Sequence, residues 1–273
     1  MEVYKKVKNS YIDLKNFQFG GSKFSVLSWN LSWEMQSGKS WGETWCSNKD
    51  PNNCQENVAG YLNSLNEFDL IAFQEATRTK NFENKENNSY IKYLANDMHK
   101  VKHRSGQESI VSYFNKSKFN LIDYSGSQFE KGRPILAVLL EEIKTKKKLL
   151  FINLHASHLL FHYQLTSLNK FVKDSKFDYD EILIAGDHNT DLQFFKKINQ
   201  KYIIDGTEFE IPNVPTDTCC NPLRNEQVIV DKTVDYILYS RKKLNIKTGS
   251  QDKNFENYFP NTDHIPVMSS FNL

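Results

Sequence analysis

Ile182-Leu183-Ile184-Ala185-Gly186-Asp187-His188-Asn189 is a strand-length aliphatic run that breaks at a glycine into three polar residues. Its length and aliphatic content read as a buried strand. Three other runs end in the same manner: Phe24–Trp29 leads into Asn30, Leu70–Phe73 into Gln74-Glu75, and Leu149–Leu154 into His155. Polar side chains at the ends of several strands can converge on one rim of a sheet, a rigid way to assemble a site.

Working outward, Ile110–Phe114, Ile135–Ile143, Val234–Tyr239 and Pro266–Phe271 are further strand candidates. Ile135–Ile143 and Leu149–Leu154 flank a lysine-rich turn and read as a hairpin; Lys144, Lys146, Lys147 and Lys148 are expected to be a solvated turn rather than a phosphate patch. Helical spacing recurs between the strands. Val58, Leu62 and Leu65 share one face, as do Leu165, Leu168, Phe171 and Val172, and again Leu192, Phe195 and Ile198. Lys80–Asn88 reads as a surface loop. With no repeat and no Pro/Gly/Ser-rich linker, residues 1–273 are expected to form a single α/β (α+β) layered domain.

Composition leaves several classes open and closes one. With 273 residues and 39% hydrophobic content, the chain can bury a sizeable core. Its mean hydropathy is −0.61 and it has no apolar run of about 18 residues, so no membrane-spanning helix is expected. Met1–Phe19 lacks the apolar stretch of a secretory signal, which leaves the compartment open with an intracellular one favoured. The net charge of +2, from 35 basic and 33 acidic side chains, neither demands nor forbids a polyanionic partner. Cys46, Cys54, Cys219 and Cys220 do not have zinc-site spacing; Cys46 and Cys54 could pair across a short loop, or all could be thiols. Oligomeric state is not legible, and a monomer is assumed.

The strand ends supply Asn30, Glu75, His155, Asp187 and Asn189, and the later strands add Asp235, Asp263 and His264. Hydrolysis of a phosphate ester needs a hard cation on the phosphoryl oxygens, a base for water, and donors for the charged transition state. Oxygen ligands without thiolate suit Mg2+ or Mn2+ better than zinc. Taken singly, each residue is better read as a solvated loop acid, a satisfied histidine, a turn asparagine or a helix cap. Their joint order carries the functional reading.

That order resembles the DNase I-like endonuclease/exonuclease/phosphatase superfamily. The matching strings are Ser28-Trp29-Asn30, Phe73-Gln74-Glu75, Asn153-Leu154-His155, Gly186-Asp187-His188-Asn189, Val234-Asp235-Tyr236 and Asp263-His264-Ile265-Pro266. The resemblance implies a four-layer sandwich: two packed, mostly antiparallel sheets flanked by helices. It implies a metal at Glu75, with Asn30 and Asp263 completing its shell, and Asn30 alternatively reaching the scissile phosphate. Asp187 would activate water, Asn189 would hold a phosphate oxygen, and His155 and His264 would stabilise charge or protonate the leaving group. Asp235 would orient His264, and Glu108 would orient His155. Arg133 would bind phosphate, against the plainer reading of a surface ion pair. His158 rivals His155, whose spacing from the strand fits better.

The chain also departs from that pattern. His188 occupies the place that often holds Phe, Thr or Leu, and is expected to face outward or touch substrate. Thr77 stands where DNase I-type nucleases carry a groove-reading Arg, with Arg78 next, and Gly106 where they carry a Tyr. Trp33, Trp41 and Trp45 could stack on a base or pack on their own loop. Asp217-Thr218-Cys219-Cys220 is placed to reach the same rim. The expected function is therefore a divalent-metal-dependent phosphodiesterase, first of all a nuclease acting on nucleic acid or nucleotides. The alternatives are a phosphatase or phosphodiesterase for a small-molecule or lipid-headgroup phosphate, and an inactive binding module.

Overall fold

The protein is described by a computed structural model covering residues 23–32, 51–65, 67–77, 79–86, 89–129, 132–158, 161–192, 202–210, 218–219, 232–240, 247–250, 264 and 266–272. Expectations placed on Asp263, Trp33, Trp41, Trp45, Cys46, Cys220, Asp217, Arg78, Phe195, Ile198 and Met1–Phe19 lie outside these residues.

Two sheets face each other. The first has six strands, in the order β12 (Lys247–Ser250), β13 (Val267–Asn272), β1 (Lys23–Asn30), β2 (Leu70–Gln74), β4 (Glu108–Asn115) and β3 (Met98–Ser105). The second has seven, in the order β5 (Phe119–Gln128), β6 (Pro134–Glu142), β7 (Lys148–His155), β8 (Glu181–Asp187), β11 (Asp235–Ser240), β10 (Thr207–Glu210) and β9 (Tyr202–Ile204). Among the described residues only β1–β2 and β7–β8 pair in parallel, so the sheets are mostly antiparallel as expected. Each parallel pair is joined through a helix, α1 (Pro51–Ser64) and α3 (Phe161–Ser175) respectively; a short α2 (Lys92–Asn96) precedes β3.

The period-two alternation of each strand sorts its side chains between three cores. Val26, Leu70, Ala72, Phe151, Leu183 and Ile237 point between the sheets. Leu27, Trp29, Ile71 and Phe73 point outward and pack with Val58, Tyr61 and Leu62 of α1. Leu150, Ile152, Ile184 and Leu238 point outward from the second sheet and pack with Leu168 and Val172 of α3. Two outer helical layers over two sheets give the four-layer sandwich.

Two local expectations differ. Lys80–Asn88 is not merely a loop: a 3-10 turn at Thr79–Glu83 buries Phe82 in the first outer core, and Glu83 bonds Tyr113 Oη at 2.6 Å. Strands β3 and β5 were not foreseen. The lysine run does form the turn between β6 and β7, with Lys146 paired to Glu141.

Candidate active site

The inward parity of each strand continues past the apolar core to its end. Phe24 and Val26 lead to Asn30, Leu183 and Ala185 to Asp187, Ile237 back to Asp235, and Phe151 to Asn153 and His155. Strand register then aligns them: His155 and Asp235 are both paired across from Asp187, on either side of it. One end of the sandwich therefore gathers polar side chains from both sheets because the strands end there together.

Gly186 permits this arrangement. Its φ is +154°, and a Cβ there would overlap the carbonyl oxygen of Leu154 on the neighbouring parallel strand. The next turn is closed by Asn189, at φ 48°, whose N–H bonds Asp187 Oδ1 at 2.8 Å and whose Nδ2 bonds the Ala156 carbonyl at 2.8 Å. Glu75 also holds a left-handed backbone, φ 52°, which turns its carboxylate into the cluster at a cost of order 1–3 kcal/mol.

Asp187 is the centre. Asn30 Nδ2 donates to its Oδ2 at 3.0 Å and also lies 3.4 Å from Glu75 Oε1. His155 Nε2 is 3.4 Å and His264 Nε2 3.9 Å from the same Oδ2. Burial pushes the Asp187 carboxyl up, but His264, His155, the Asn189 N–H and the Asn30 amide outweigh it and hold it below the usual range. It is a buried carboxylate kept ionised.

Each histidine has its own carboxylate. His264 Nδ1 is 2.8 Å from Asp235 Oδ2, and the Trp29 indole N–H fixes the His264 carbonyl at 3.1 Å. His155 Nδ1 is 3.0 Å from Glu108 Oε2. Burial disfavours protonated His155, but Glu108, Asp187 and Glu75 together raise its pKa. Burial likewise pushes Glu108 up, and His155 with Arg133 pulls it net below its ordinary value. Asp235 moves the other way: burial and the Asp187 charge lift it to about 6, against the pull of His264.

Arg133 belongs to this cluster. Its Nη1 lies 2.7 Å from Glu108 Oε1, 2.8 Å from His155 Nε2 and 3.6 Å from Glu75 Oε1, and its side chain is 22% exposed. With Nε2 facing a guanidinium, the neutral ring carries its proton on Nδ1, toward Glu108. His158, by contrast, is exposed at the margin.

Thr218 and Cys219 reach the rim as the sequence places them, His188 takes the outward one of its two expected orientations, and the bridge between Gln74 and Asn153 escaped the sequence reading. Thr218 Oγ1 accepts the N–H groups of Val234 at 3.0 Å and Asp235 at 2.9 Å, and Cys219 Sγ lies 3.3 Å from His264 Nε2. Gln74 and Asn153 form a buried polar bridge between the sheets just below the site. His188 faces away from the site: it stacks on Tyr236, with centroids 3.8 Å apart, and its Nε2–H donates to the Tyr236 carbonyl at 3.2 Å. Period two accounts for this last point, since the neighbour of an inward Asp187 must point outward.

Burial lowers the His188 pKa to about 3, so the folded chain holds this ring neutral while the unfolded chain protonates it near 6.5. The folded pKa is depressed, so stability is unaffected above about pH 6.5 and falls progressively as pH drops toward 3. Urea unfolding at pH 7 and 5 should show about 2 kcal/mol less stability at pH 5 from this group. His188→Phe should lose that increment; equal acid losses in both proteins would contradict the assignment.

Glu75 and Asn30 offer side-chain oxygens of the type a hard cation takes, while nitrogen donors surround the Glu75 carboxylate. The groups Asn30 Nδ2, His155 Nε2 and Arg133 Nη1 stand 3.4, 3.6 and 3.6 Å from Glu75 Oε1, longer than a good hydrogen bond. Asp187, Asp235 and His264 also place one potential ligand atom each within 4.8 Å of one another. Hydrogen-bond chemistry explains that second group better, because His264 Nδ1 already takes Asp235 Oδ2.

Comparison with known proteins bears on the architecture. A structure of an endonuclease/exonuclease/phosphatase from Bacteroides vulgatus superposes with a TM-score of 0.67, covering 92% of this chain and 99% of its own, at 12% identity. This chain has the endonuclease/exonuclease/phosphatase fold. The same fold is shared with ANGEL2, a 2',3'-cyclic phosphatase in complex with adenosine-2',3'-vanadate, at a TM-score of 0.64, 16% identity and coverage of 93% and 97%. In sequence, an uncharacterised protein of Acanthamoeba polyphaga mimivirus is 27% identical over 242 residues, 80% of this chain. The match spans 43% of that relative's length. No protein-family model matches the chain. Among the described residues, no helix is long and apolar enough to cross a membrane.

Proposed function

We propose that this endonuclease/exonuclease/phosphatase-fold chain is a divalent-metal-dependent phosphodiesterase that hydrolyses phosphodiester bonds of nucleic acid or nucleotides. The observation that carries the reading is the ionised, buried Asp187 flanked by two histidines, each backed by its own carboxylate. Such a set separates the roles of base and charge stabiliser within one small volume.

Asp187, oriented by Asn30 and the Asn189 N–H, accepts the proton of the attacking water. The new P–O bond forms opposite the ester oxygen, which leaves and takes a proton from a histidine. His155 and His264 act as imidazoliums: each holds its Nδ1–H on Glu108 or Asp235, which favours the charged ring, and gives its Nε2–H to a phosphoryl oxygen or the leaving group. Arg133 offsets the charge that grows on the phosphoryl group. Asn189 is assigned to the phosphate as well. Glu75 and Asn30, with Asp263 as the expected third ligand, would hold Mg2+ or Mn2+, which when bound neutralises charge on the phosphoryl oxygens.

The structure of this fold with adenosine-2',3'-vanadate supports beginning with nucleotide esters. The test is a panel of plasmid, single-stranded DNA, RNA, a 2',3'-cyclic nucleotide, inositol phosphates and bis-p-nitrophenyl phosphate, with Mg2+, Mn2+ or chelator. Metal-dependent cleavage of nucleic acid or nucleotide is expected, and with a polymer KM should rise steeply with salt because several phosphate contacts are broken. Turnover of inositol phosphates alone would overturn the nucleic-acid reading in favour of a small phosphate ester.

A further inference from the structure

Thr218 and Cys219 sit directly beneath the Asp235–His264 pair, yet the mechanism above uses neither. They are joined to Lys232 by an isolated antiparallel bridge. Thr218 N and Cys219 N donate to the Lys232 carbonyl at 2.8 and 2.9 Å, and Lys232 N donates to the Cys219 carbonyl at 2.9 Å. Both residues are 0% exposed. From this bridge, the Thr218 hydroxyl accepts the backbone N–H of Asp235, and the Cys219 sulfur packs 3.3 Å from His264 Nε2. The two adjacent residues thus touch both members of the pair from one side. Cys219 is also disulfide-bonded.

We infer that Cys219 is a positioning residue for His264, and that its disulfide makes the proposed hydrolase redox-sensitive: active when oxidised and slowed when reduced. Nε2 is the nitrogen that faces Asp187, on the side where the phosphoryl group would bind. A disulfide sulfur is only a weak hydrogen-bond acceptor. It limits the ring's movement and engages the Nε2–H only weakly, so a phosphoryl oxygen readily takes over that proton donor. Reduction breaks the S–S bond and forms two S–H groups. A phosphine reductant supplies the two electrons and ends as phosphine oxide, with oxygen and protons from water. The freed thiol can rotate, and it presents a donor where the imidazole N–H points. His264 then loses a fixed neighbour on its substrate-facing edge, while the Asp235 contact at Nδ1 is retained. The effect should fall on kcat rather than KM, because orientation of a group that acts in the transition state is what changes. Full activity would accordingly belong to oxidising surroundings.

This inference rests on the proposed hydrolase reading, so its test carries one readout that needs no turnover. Imidazole nitrogen resonances of the full chain are recorded oxidised and after phosphine reduction, with His264 assigned by its loss in His264→Asn. The expected result is a shift of the His264 Nε2 signal on reduction that reverses on reoxidation. In parallel, kcat toward the best substrate of the panel should fall by roughly tenfold to a hundredfold on reduction with KM little changed. Cys219→Ala should start at the lower kcat and respond little to reductant. An unmoved His264 signal overturns the inference whatever the substrate proves to be. An equal kcat loss in reduced Cys219→Ala also overturns it, since the sensitivity would then come from the disulfide of Cys54.

Discussion

Asp187→Asn is expected to lower kcat by roughly three orders of magnitude, with KM close to wild type and a modest drop in the urea midpoint. The substitution keeps the shape of the side chain and removes its charge, and with it the capacity to take a proton. In the native chain that capacity is unusual for a fully buried acid. Burial disfavours the charge, yet His264, His155, the Asn189 N–H and the Asn30 amide outweigh it and hold the carboxyl below its usual range. Such a carboxylate, desolvated and surrounded by donors, is primed for a water in the pocket. In the variant one acceptor becomes a donor: the amide gives up either the Asn30 Nδ2 bond or, if flipped, the Asn189 N–H bond, a loss of about 1–3 kcal/mol that leaves the fold in place. The measurement is single-substrate kinetics at saturating Mg2+ or Mn2+. A kcat within tenfold of wild type would remove Asp187 from the role of base and pass it to another group of the cluster.

The sequence made the buried strands legible and the edges illegible, for one reason. β7 and β8 are apolar on both faces because each lies between the intersheet core and an outer core. They therefore read as unbroken runs. β5 is a sheet edge with Ile122 46% and Tyr124 55% exposed, and β3 mixes Lys100, Lys102, His103 and Arg104 into its alternation. Neither offers a run of apolar residues bounded by turns. The site was legible where polar residues end such runs, which is how Asn30, Glu75, His155 and Asp187 stood out. What brings Glu108 and Arg133 to His155 is the pairing of β6 with β7 and the stacking of β4 over them, long-range geometry that no local period encodes. Thr218 and Cys219 carry no period at all, since their bridge is two residues deep.

Asn153→Ala should cost about 3 kcal/mol of stability, because buried partners would be left unsatisfied at roughly 1–3 kcal/mol each. Asn153 is 0% exposed and its amide bonds the facing sheet. Its Nδ2 lies 3.2 Å from the Phe73 carbonyl, 3.0 Å from the Val111 carbonyl and 3.3 Å from Ser112 Oγ, all on the facing sheet. Its Oδ1 accepts Gln74 Nε2 at 2.8 Å, and that amide also reaches the Ala72 carbonyl at 3.1 Å. Truncation opens a cavity beside these groups as well as orphaning them. Urea unfolding of Asn153→Ala, Gln74→Ala and the double variant separates the terms. The pair should couple, with the double variant costing less than the sum of the single losses. Strict additivity would mean that the two amides act independently and that the bridge is not one unit. Because Glu75 follows Gln74 and His155 lies two residues beyond Asn153, the bridge sets the sheet spacing one layer below the reacting groups. The fully folded fraction of Asn153→Ala should therefore still turn over more slowly than wild type, by a factor the unfolding curve cannot supply.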